Sequence, residues 1–209
     1  RMIRAIRFEV KLDAKLDPKI SKTISQKSHL LDSVPPARLY DECIKLFHNE
    51  KSYRVFERLL ETGLLKHLFQ QTSNSKFIKK ALNNTSERLK TNRSVTPAFL
   101  FSVFLWDSQN KYFNKFQKRN KSNFVTMNQA SEEVISRQVK QVLMPKWLSA
   151  RVKDIWMMQH QLEKCSSKKV NELVANPRFR IAYDFLVLRS QSINPELRDR
   201  AEYWTQIQK

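Results

Sequence analysis

The sequence is poor in the residues that make tight turns and cross-links. Its 209 residues include one glycine, Gly63, and two cysteines, Cys43 and Cys165. A glycine-rich phosphate loop or a dinucleotide-binding turn needs several glycines, so the single glycine excludes both. Scarce glycine also favours helices joined by polar loops over a sheet with tight hairpins. The two cysteines match no metal-binding spacing, and we expect reduced core thiols, as in a cytosolic protein.

Several kinds of site are also missing from the sequence. No two carboxylates stand at a spacing that demands a shared metal, and no Asp-x-Asp occurs. No Ser/His/Asp or Cys/His arrangement stands out, so we expect no catalytic centre within the chain. No apolar run approaches the roughly 18 residues of a membrane-spanning helix, and no signal peptide is recognisable. The histidines are scattered, without the i,i+4 pair of a zinc-binding helix: His29, His48, His67 and His160.

Basic residues, in contrast, exceed acidic residues by a wide margin. The chain has 39 Lys and Arg against 20 Asp and Glu, which gives a formal net charge of +19. Apolar residues make up 41% of the sequence, which argues for a folded protein with a sizeable core. Nucleic acid is the first partner to consider for such an excess of cations. An acidic membrane surface or an acidic protein is the second.

The first twelve residues form the most informative pattern. Read as a helix, they place four cations along one face, Arg1, Arg4, Arg7 and Lys11, and most of the apolar side chains on the other. Cations three or four residues apart on a helix repel by roughly 0.2–0.5 kcal/mol per pair. A phosphate, a nucleotide or a partner's carboxylates against this face would explain the arrangement, and so would an ordinary solvated face. Because the chain begins inside this patterned helix, we expect it to be a piece of a longer protein.

Apolar spacing and capping residues predict helices along the whole chain. Asp32 or Ser33 is the expected N-cap of a helix that ends near Phe47, and Gly63 suits a helix C-terminus. Residues 96–106 are apolar almost all round and predict a central buried helix, whereas residues 107–123 predict a helix end and an exposed basic loop. The other predicted helices span residues 1–12, 17–31, 51–61, 75–92, 124–143, 147–162, 176–190 and 195–208.

The predicted fold is therefore all-α, an elongated multi-helix array. Polar residues 70–75 mark the best candidate for a domain boundary.

Aromatic and basic side chains alternate in the segment that follows the buried helix. Aromatic rings can stack on single-stranded bases while neighbouring cations track the phosphates. Ordinary helical amphipathicity explains the same pattern, so both interpretations stay open. The residues concerned are Tyr112, Phe113 and Phe116, among Lys111, Lys115, Lys118, Arg119 and Lys121.

Several stretches resemble one enzyme superfamily. The first, RMIRAIRF, resembles the end of the E-D-x-x-R-x-x-R-A-x-R-F motif of class II nucleotidyltransferases, which include bacterial poly(A) polymerases and CCA-adding tRNA nucleotidyltransferases. The stretch PPARLYDECIKLF is similar to the P-P-A-R-L-x-E-E pattern of the bacterial poly(A) polymerases, because Ala37 replaces the first Glu of the CCA-adding pattern. VTPAFLFSVFLW, MPKWLSARVKDIWMMQ and NPRFRIAYDFLVLRS resemble the arginine-rich C-terminal region of the same polymerases.

The resemblance implies roles for particular residues. Arg1 would read the base of the incoming nucleotide, and Arg4 would face nucleotide or primer phosphates. Arg38 and Glu42, four residues apart and able to pair, would brace the base-reading helix and belong to the nucleotide site. Arg7 and Lys11 would contact RNA phosphates, together with the cations at residues 111–121.

The resemblance also implies an organisation and partners. Residues 1–72 would form the neck and body, and residues 73–209 the arginine-rich C-terminal domain. The whole enzyme would use ATP as substrate and Mg²⁺ held by a catalytic head absent from this chain, which itself would bind neither. Expected partners are single-stranded RNA 3′ ends and RNA-decay proteins, in the cytoplasm. The alternatives are the same part of a CCA-adding enzyme and a non-catalytic basic helical module that binds RNA or an acidic protein.

Overall fold

The computed structural model describes residues 1–69, 72, 76–119, 122–166 and 169–208. No β-strand occurs in this part of the chain, and the regular structure is helical throughout, which confirms the predicted all-α class. Short 3₁₀ turns cover Ser28–Ser33, Leu65–His67 and Pro195–Leu197. The α-helices are α1 (Met2–Lys11), α2 (Pro18–Gln26), α3 (Pro36–Phe47), α4 (Ser52–Glu61), α5 (Lys76–Lys90), α6 (Pro97–Phe104), α7 (Trp106–Gln117), α8 (Asn123–Gln141), α9 (Lys146–Lys164), α10 (Val170–Val174), α11 (Phe179–Ser192) and α12 (Arg198–Ile207).

Side-chain caps and prolines set several helix starts. The Asp17 carboxylate accepts a hydrogen bond from the Lys19 amide at 2.7 Å, and Pro18 occupies the first turn of α2. Thr96 caps α6 in the same way, by accepting from the Phe99 amide. Gly63 follows α4 with φ of 68°, the left-handed conformation expected of a residue just past a helix end.

Other boundaries differ from the prediction. The N-cap expected at Asp32 or Ser33 is wrong, because both residues lie in a 3₁₀ turn and Pro35 precedes the first turn of α3. The helix predicted over 17–31 changes to that 3₁₀ turn after Gln26. Helix α7 continues to Gln117, so most of the predicted basic loop is helical. The short helix α10 was not predicted, because its five residues are too few to show a helical period, although Val170 and Leu173 are half-buried against the second core.

A ring cluster lies at the centre of the main core. Phe104 stacks on Phe69 at a centroid distance of 4.6 Å and lies 4.6 Å from Phe47. Phe69 also makes an edge contact with Phe101 at 5.5 Å. These rings come from α3, α6 and the segment after α4, so the predicted buried helix does lie at the centre.

The main core is continuous across the predicted boundary between residues 72 and 73. The Gln138 amide of α8 donates to the Leu68 carbonyl at 2.8 Å, and the Leu143 amide donates to the Pro36 carbonyl at 3.0 Å. The two-domain division stays a prediction, and packing joins its two parts. Residues 70, 71 and 73–75 of the expected linker lie outside the described residues.

A second, smaller core lies between α9, α11 and α12. Trp204 is fully buried there, and its indole Nε1 donates to the Leu162 carbonyl at 3.0 Å. Phe179 packs against Trp204 at a centroid distance of 5.4 Å. In the described part of the chain, no helix is both long and apolar enough to span a membrane.

Candidate nucleic-acid interface

Helix α1 is fixed to the body of the protein by its apolar side. Ile3, Ile6 and Val10 are buried against α3 and α4. The spacing of three and four residues places these side chains on one stripe, so the other side of the helix faces solvent. Arg1, Arg4 and Lys11 are exposed, and none of them makes an ion pair with another described residue. The basic face predicted from the sequence is therefore presented on a rigid support.

Glu42 of α3 contacts this basic face through Arg7. Arg7 Nη1 lies 3.6 Å from Glu42 Oε2, and the two side chains are 20% and 17% exposed. Lys45 Nζ lies 3.8 Å from the other carboxylate oxygen of Glu42. The structure thus gives Glu42 different partners from the predicted one, since Arg38 is exposed and makes no ion pair with a described residue. The contact joins α3 to α1.

The carboxylates on and just after α1 are occupied by cations of α4 and its N-terminus. Glu9 accepts from Arg58 Nε at 2.9 Å, and Asp13, two residues beyond α1, pairs with Lys51 and Arg54. Hydrogen bonds from Lys51, which has the larger effect, and from Arg54 lower the pKa of the Asp13 carboxyl. Because these acids are already paired, they do not neutralise the basic face.

A cleft of about 810 Å³ lies beside α1, between α1, α3 and the start of α4. Its lining includes Arg7, Lys11, Lys45 and Lys51, together with the ring of Phe8. Phe8 is 41% exposed, and the Arg7 guanidinium lies 5.3 Å from its ring centroid. An exposed ring beside several cations can stack on a base while the cations contact phosphates.

Sequence reasoning missed Phe8 and Lys45 as members of this site. Within its own helix Phe8 looks like one more apolar residue, and Lys45 looks like a solvated side chain. Phe8 is next to Arg7 in the sequence, and the packing of α1 on α3 brings Lys45 to the same cleft. His48 lines the same cleft, and its Nε2 lies 3.0 Å from the Val95 carbonyl.

In the second predicted group of cations, Lys111 and Lys115 lie on α7, and Lys118 and Arg119 follow its end. Tyr112 is only 8% exposed, and its ring lies 5.3 Å from the Arg137 guanidinium of α8 and 5.9 Å from Phe116. Tyr112 therefore packs inward, whereas Phe113 and Phe116 are half-buried against the main core and keep part of their rings accessible. Helix α7 packs on α6 and α8, whereas α1 packs on α3 and α4. Lys121 lies outside the described residues, and the exposed members of the group are Lys111, Lys115, Lys118 and Arg119.

The described residues contain no group of three or more His, Cys, Asp or Glu side chains that could hold a metal ion.

Both cysteines are free. Cys43 is fully buried. Burial raises the pKa of its thiol, and the nearby charge of Glu42 raises it further. Cys165 is only half-buried, because it lies at the C-terminal end of α9.

Comparison with known proteins gives consistent matches along the chain. Residues 14–76 match the family model described as "Probable RNA and SrmB- binding site of polymerase A", and residues 108–209 match "Polymerase A arginine-rich C-terminus". The whole chain is 30% identical to Poly(A) polymerase I of Salmonella typhimurium and of Escherichia coli O157:H7, and 29% identical to that of Haemophilus influenzae. The matched regions cover 47%, 47% and 48% of those proteins, so the chain spans about half their length.

Proposed function

Because the chain belongs to the bacterial poly(A) polymerase family, we propose that it is the RNA-binding and nucleotide-selecting C-terminal part of an enzyme that adds AMP from ATP to RNA 3′ ends. Two stretches matching regions of this polymerase, and 30% identity along the whole chain, support the proposal. The names of the relatives favour poly(A) addition over the CCA-adding alternative.

The observation that carries the proposal is the basic face of α1 beside the cleft at Phe8, where three of the four cations, Arg1, Arg4 and Lys11, make no ion pair with a described residue. Arg1 and Arg4 have no carboxylate partner among the described residues, so their donors are available to a nucleotide or an RNA phosphate. In this proposal Arg7 and Lys11 contact RNA phosphates at the cleft. Glu42 braces α1 by its contact with Arg7 at 3.6 Å, which is the role the motif implies for it. Arg38, exposed on the first turns of α3, completes the nucleotide side of the site.

The chemistry of AMP transfer belongs to another part of the whole enzyme. ATP would be the substrate, and Mg²⁺ would be held by the catalytic half of the enzyme, because the described residues offer no metal-binding group. In this proposal the enzyme acts on RNA in the cytoplasm, with RNA-decay proteins as further partners. The family description that matches residues 14–76 names RNA and SrmB, and so supports RNA and one protein partner. Purified chain with ATP, Mg²⁺ and oligo(A) should therefore extend nothing, and extension that copurifies with the chain would contradict this division of labour.

RNA binding can be tested directly with the purified chain and fluorescently labelled oligo(A). Log affinity should fall linearly with log salt, at a slope of roughly −0.7 per phosphate contacted. The variant Arg4→Gln/Lys11→Gln should bind about tenfold more weakly at low salt, because two cations leave the α1 face. A matched control is Lys76→Gln/Lys80→Gln, which removes the same charge from exposed positions of α5. Equal affinity losses in the two variants would contradict a specific role for α1.

Nucleotide choice can be tested in the whole enzyme with Arg1→Lys. Lysine keeps the charge but loses the planar fork of donors that suits a base edge. Losing such a directed pair costs about 1–3 kcal/mol of discrimination. The preference for ATP over CTP should therefore fall roughly ten- to a hundredfold, with RNA affinity little changed. An equal loss of activity with all four nucleotides would instead make Arg1 a phosphate contact.

A further inference from the structure

A second cleft, of about 470 Å³, lies between α5, α9, α11 and the start of α6, and shares no lining residue with the α1 cleft. Its charged lining consists of four arginines and one carboxylate, an excess of three positive charges: Arg88, Arg151, Arg178 and Arg180, with Asp184. This volume falls within the range of small-molecule sites. The sequence brings these residues from three separate segments, so only the fold assembles the group.

The arginines of this cleft are only loosely paired. Arg88 and Arg180 lie 3.6 and 3.4 Å from the Asp184 carboxylate, and Arg178 lies 3.6 Å from Asp154. Charge-assisted hydrogen bonds between such groups are about 2.7–2.9 Å long, so these contacts leave most guanidinium donors unused. Arg88 also contacts the Ser94 carbonyl at 3.3 Å, and Arg180 donates to Gln208 at 3.0 Å.

Arg151 is the least neutralised of the four. It makes no ion pair with another described residue, and its guanidinium lies 5.3 Å from the exposed ring of Trp147. Asp184, in contrast, sits between two arginines with its side chain 27% exposed. Because two guanidinium groups share one carboxylate, the four arginines at the rim of the cleft keep a net positive charge.

The floor of the cleft is apolar. Val95, Phe99, Ile181 and Val187 line it and are half-buried, so part of each side chain remains accessible. The Phe99 ring is held by an edge contact with Phe185 at a centroid distance of 6.2 Å. An apolar floor with one ring and a rim of arginines suits a ligand that has a flat base and a phosphate.

We infer that this cleft binds one nucleotide unit of single-stranded RNA, with the base on the Phe99 floor and the phosphate on the arginine rim. The inference rests on the proposed function for the identity of the ligand as RNA, and it adds a site separate from α1. Arg88, Val95 and Phe99 fall outside both stretches that match the family models. An acidic peptide would satisfy the arginines but would leave the floor without a flat partner.

The first test removes charge from the rim. Arg151→Gln/Arg180→Gln should bind labelled oligo(A) about tenfold more weakly at low salt, with the salt slope less negative by roughly 0.7 for each phosphate that the variant no longer binds. Lys76→Gln/Lys80→Gln again removes the same charge outside the cleft and should change affinity less than about twofold. If the two double variants behave alike, the inference is wrong. If the α1 variant Arg4→Gln/Lys11→Gln still weakens binding in that case, the proposed function stands without this site.

The second test adds net charge to the rim. Asp184→Asn keeps the shape of the side chain but leaves the arginines unopposed, so affinity for oligo(A) should rise about threefold, as expected of one surface charge. A circular dichroism spectrum and a urea midpoint like those of the wild type would show that the gain does not come from unfolding, which could also expose cations to RNA. Lower affinity in a variant with the circular dichroism spectrum of the wild type would overturn the inference. Tighter binding of an oligoglutamate peptide than of oligo(A) of equal charge would also overturn it, in favour of a protein partner.

Discussion

Arg189 of α11 offers the sharpest test of how this basic chain uses its arginines. Its side chain is buried, and Nη1 donates to Glu163 Oε1 at 2.5 Å and to Gln159 Oε1 at 3.1 Å. The guanidinium also lies 4.8 Å from the centroid of the Trp106 ring. These contacts join α9 and α11 to the start of α7, so we expect Arg189 to stabilise the fold and not to bind ligand.

The size of the effect follows from the burial. Removing one partner of a buried ion pair costs about 3–5 kcal/mol, because the other charge is left uncompensated. Glu163 is 26% exposed and can regain some hydration, and Arg189 Nε has no hydrogen-bond partner among the described residues. Both facts favour the lower end of that range, so we expect Arg189→Met to destabilise the protein by about 3 kcal/mol. Arg189→Lys keeps the charge but not the fork of donors and should cost about 1–2 kcal/mol.

Urea unfolding followed by circular dichroism measures this free energy of unfolding. If the slope of the free energy against urea concentration is the same in variant and wild type, the difference between them is a difference in stability. In thermal unfolding, the Tm of Arg189→Met should fall by about 6–12 °C, at roughly 2–4 °C per kcal/mol for a chain of this size. The control is Arg198→Met, an exposed arginine without an ion pair among the described residues, which should change stability by less than about 0.5 kcal/mol. A loss below about 1 kcal/mol for Arg189→Met would refute the reasoning.

Three further predictions concern single residues. Gly63→Ala should destabilise the protein by about 1 kcal/mol in urea unfolding, because φ is 68° while space for a methyl group is available; unchanged stability would contradict the left-handed conformation. In native protein Ellman's reagent should modify Cys165 quickly and Cys43 only on unfolding, because burial raises the pKa of the Cys43 thiol; two fast thiols would contradict this. Burial lowers the pKa of His48 in the folded protein. As pH falls below about 6.5, the ordinary pKa of histidine, His48 is therefore protonated in the unfolded chain before it is protonated in the folded one, and stability should fall. His48→Gln should reduce that loss in urea titrations at about pH 7.5 and 5.5, whereas an equal loss in both proteins would point to other groups.

Local patterns predicted most of the helices because each helix must bury its own apolar stripe. The stripe of Ile3, Ile6 and Val10 fixed which side of α1 faces the core, and the cap at Thr96 fixed the start of α6. Where a segment is too short to show such a stripe, the prediction failed. Helix α10 has five residues and only half-buried apolar side chains, and the turn containing Asp32 looked like a helix start because two prolines follow it.

The candidate sites were less predictable because they depend on contacts between distant segments. Glu42 pairs with Arg7, 35 positions earlier in the chain, and no spacing within α3 indicates that partner. The sequence around Tyr112 allowed both stacking on RNA and packing, and Arg137 of α8 is one of the groups that cover its ring. In the second cleft, Arg88 and Asp184 meet only because α5 packs on α11.

Net charge alone therefore overstates the surface available to RNA. Arg189 is committed to the interior and Arg58 holds Glu9 of α1, whereas Arg4 and Arg151 remain without a carboxylate partner among the described residues. Cations without a carboxylate partner line a cleft together with an accessible ring in two places, at Phe8 and at Phe99. If this division is right, the two kinds of substitution should have separable effects. Neutralising Arg4 or Arg151 should weaken RNA binding and reduce its salt dependence at unchanged stability, whereas neutralising Arg189 should lower stability and leave the salt dependence of the folded protein unchanged.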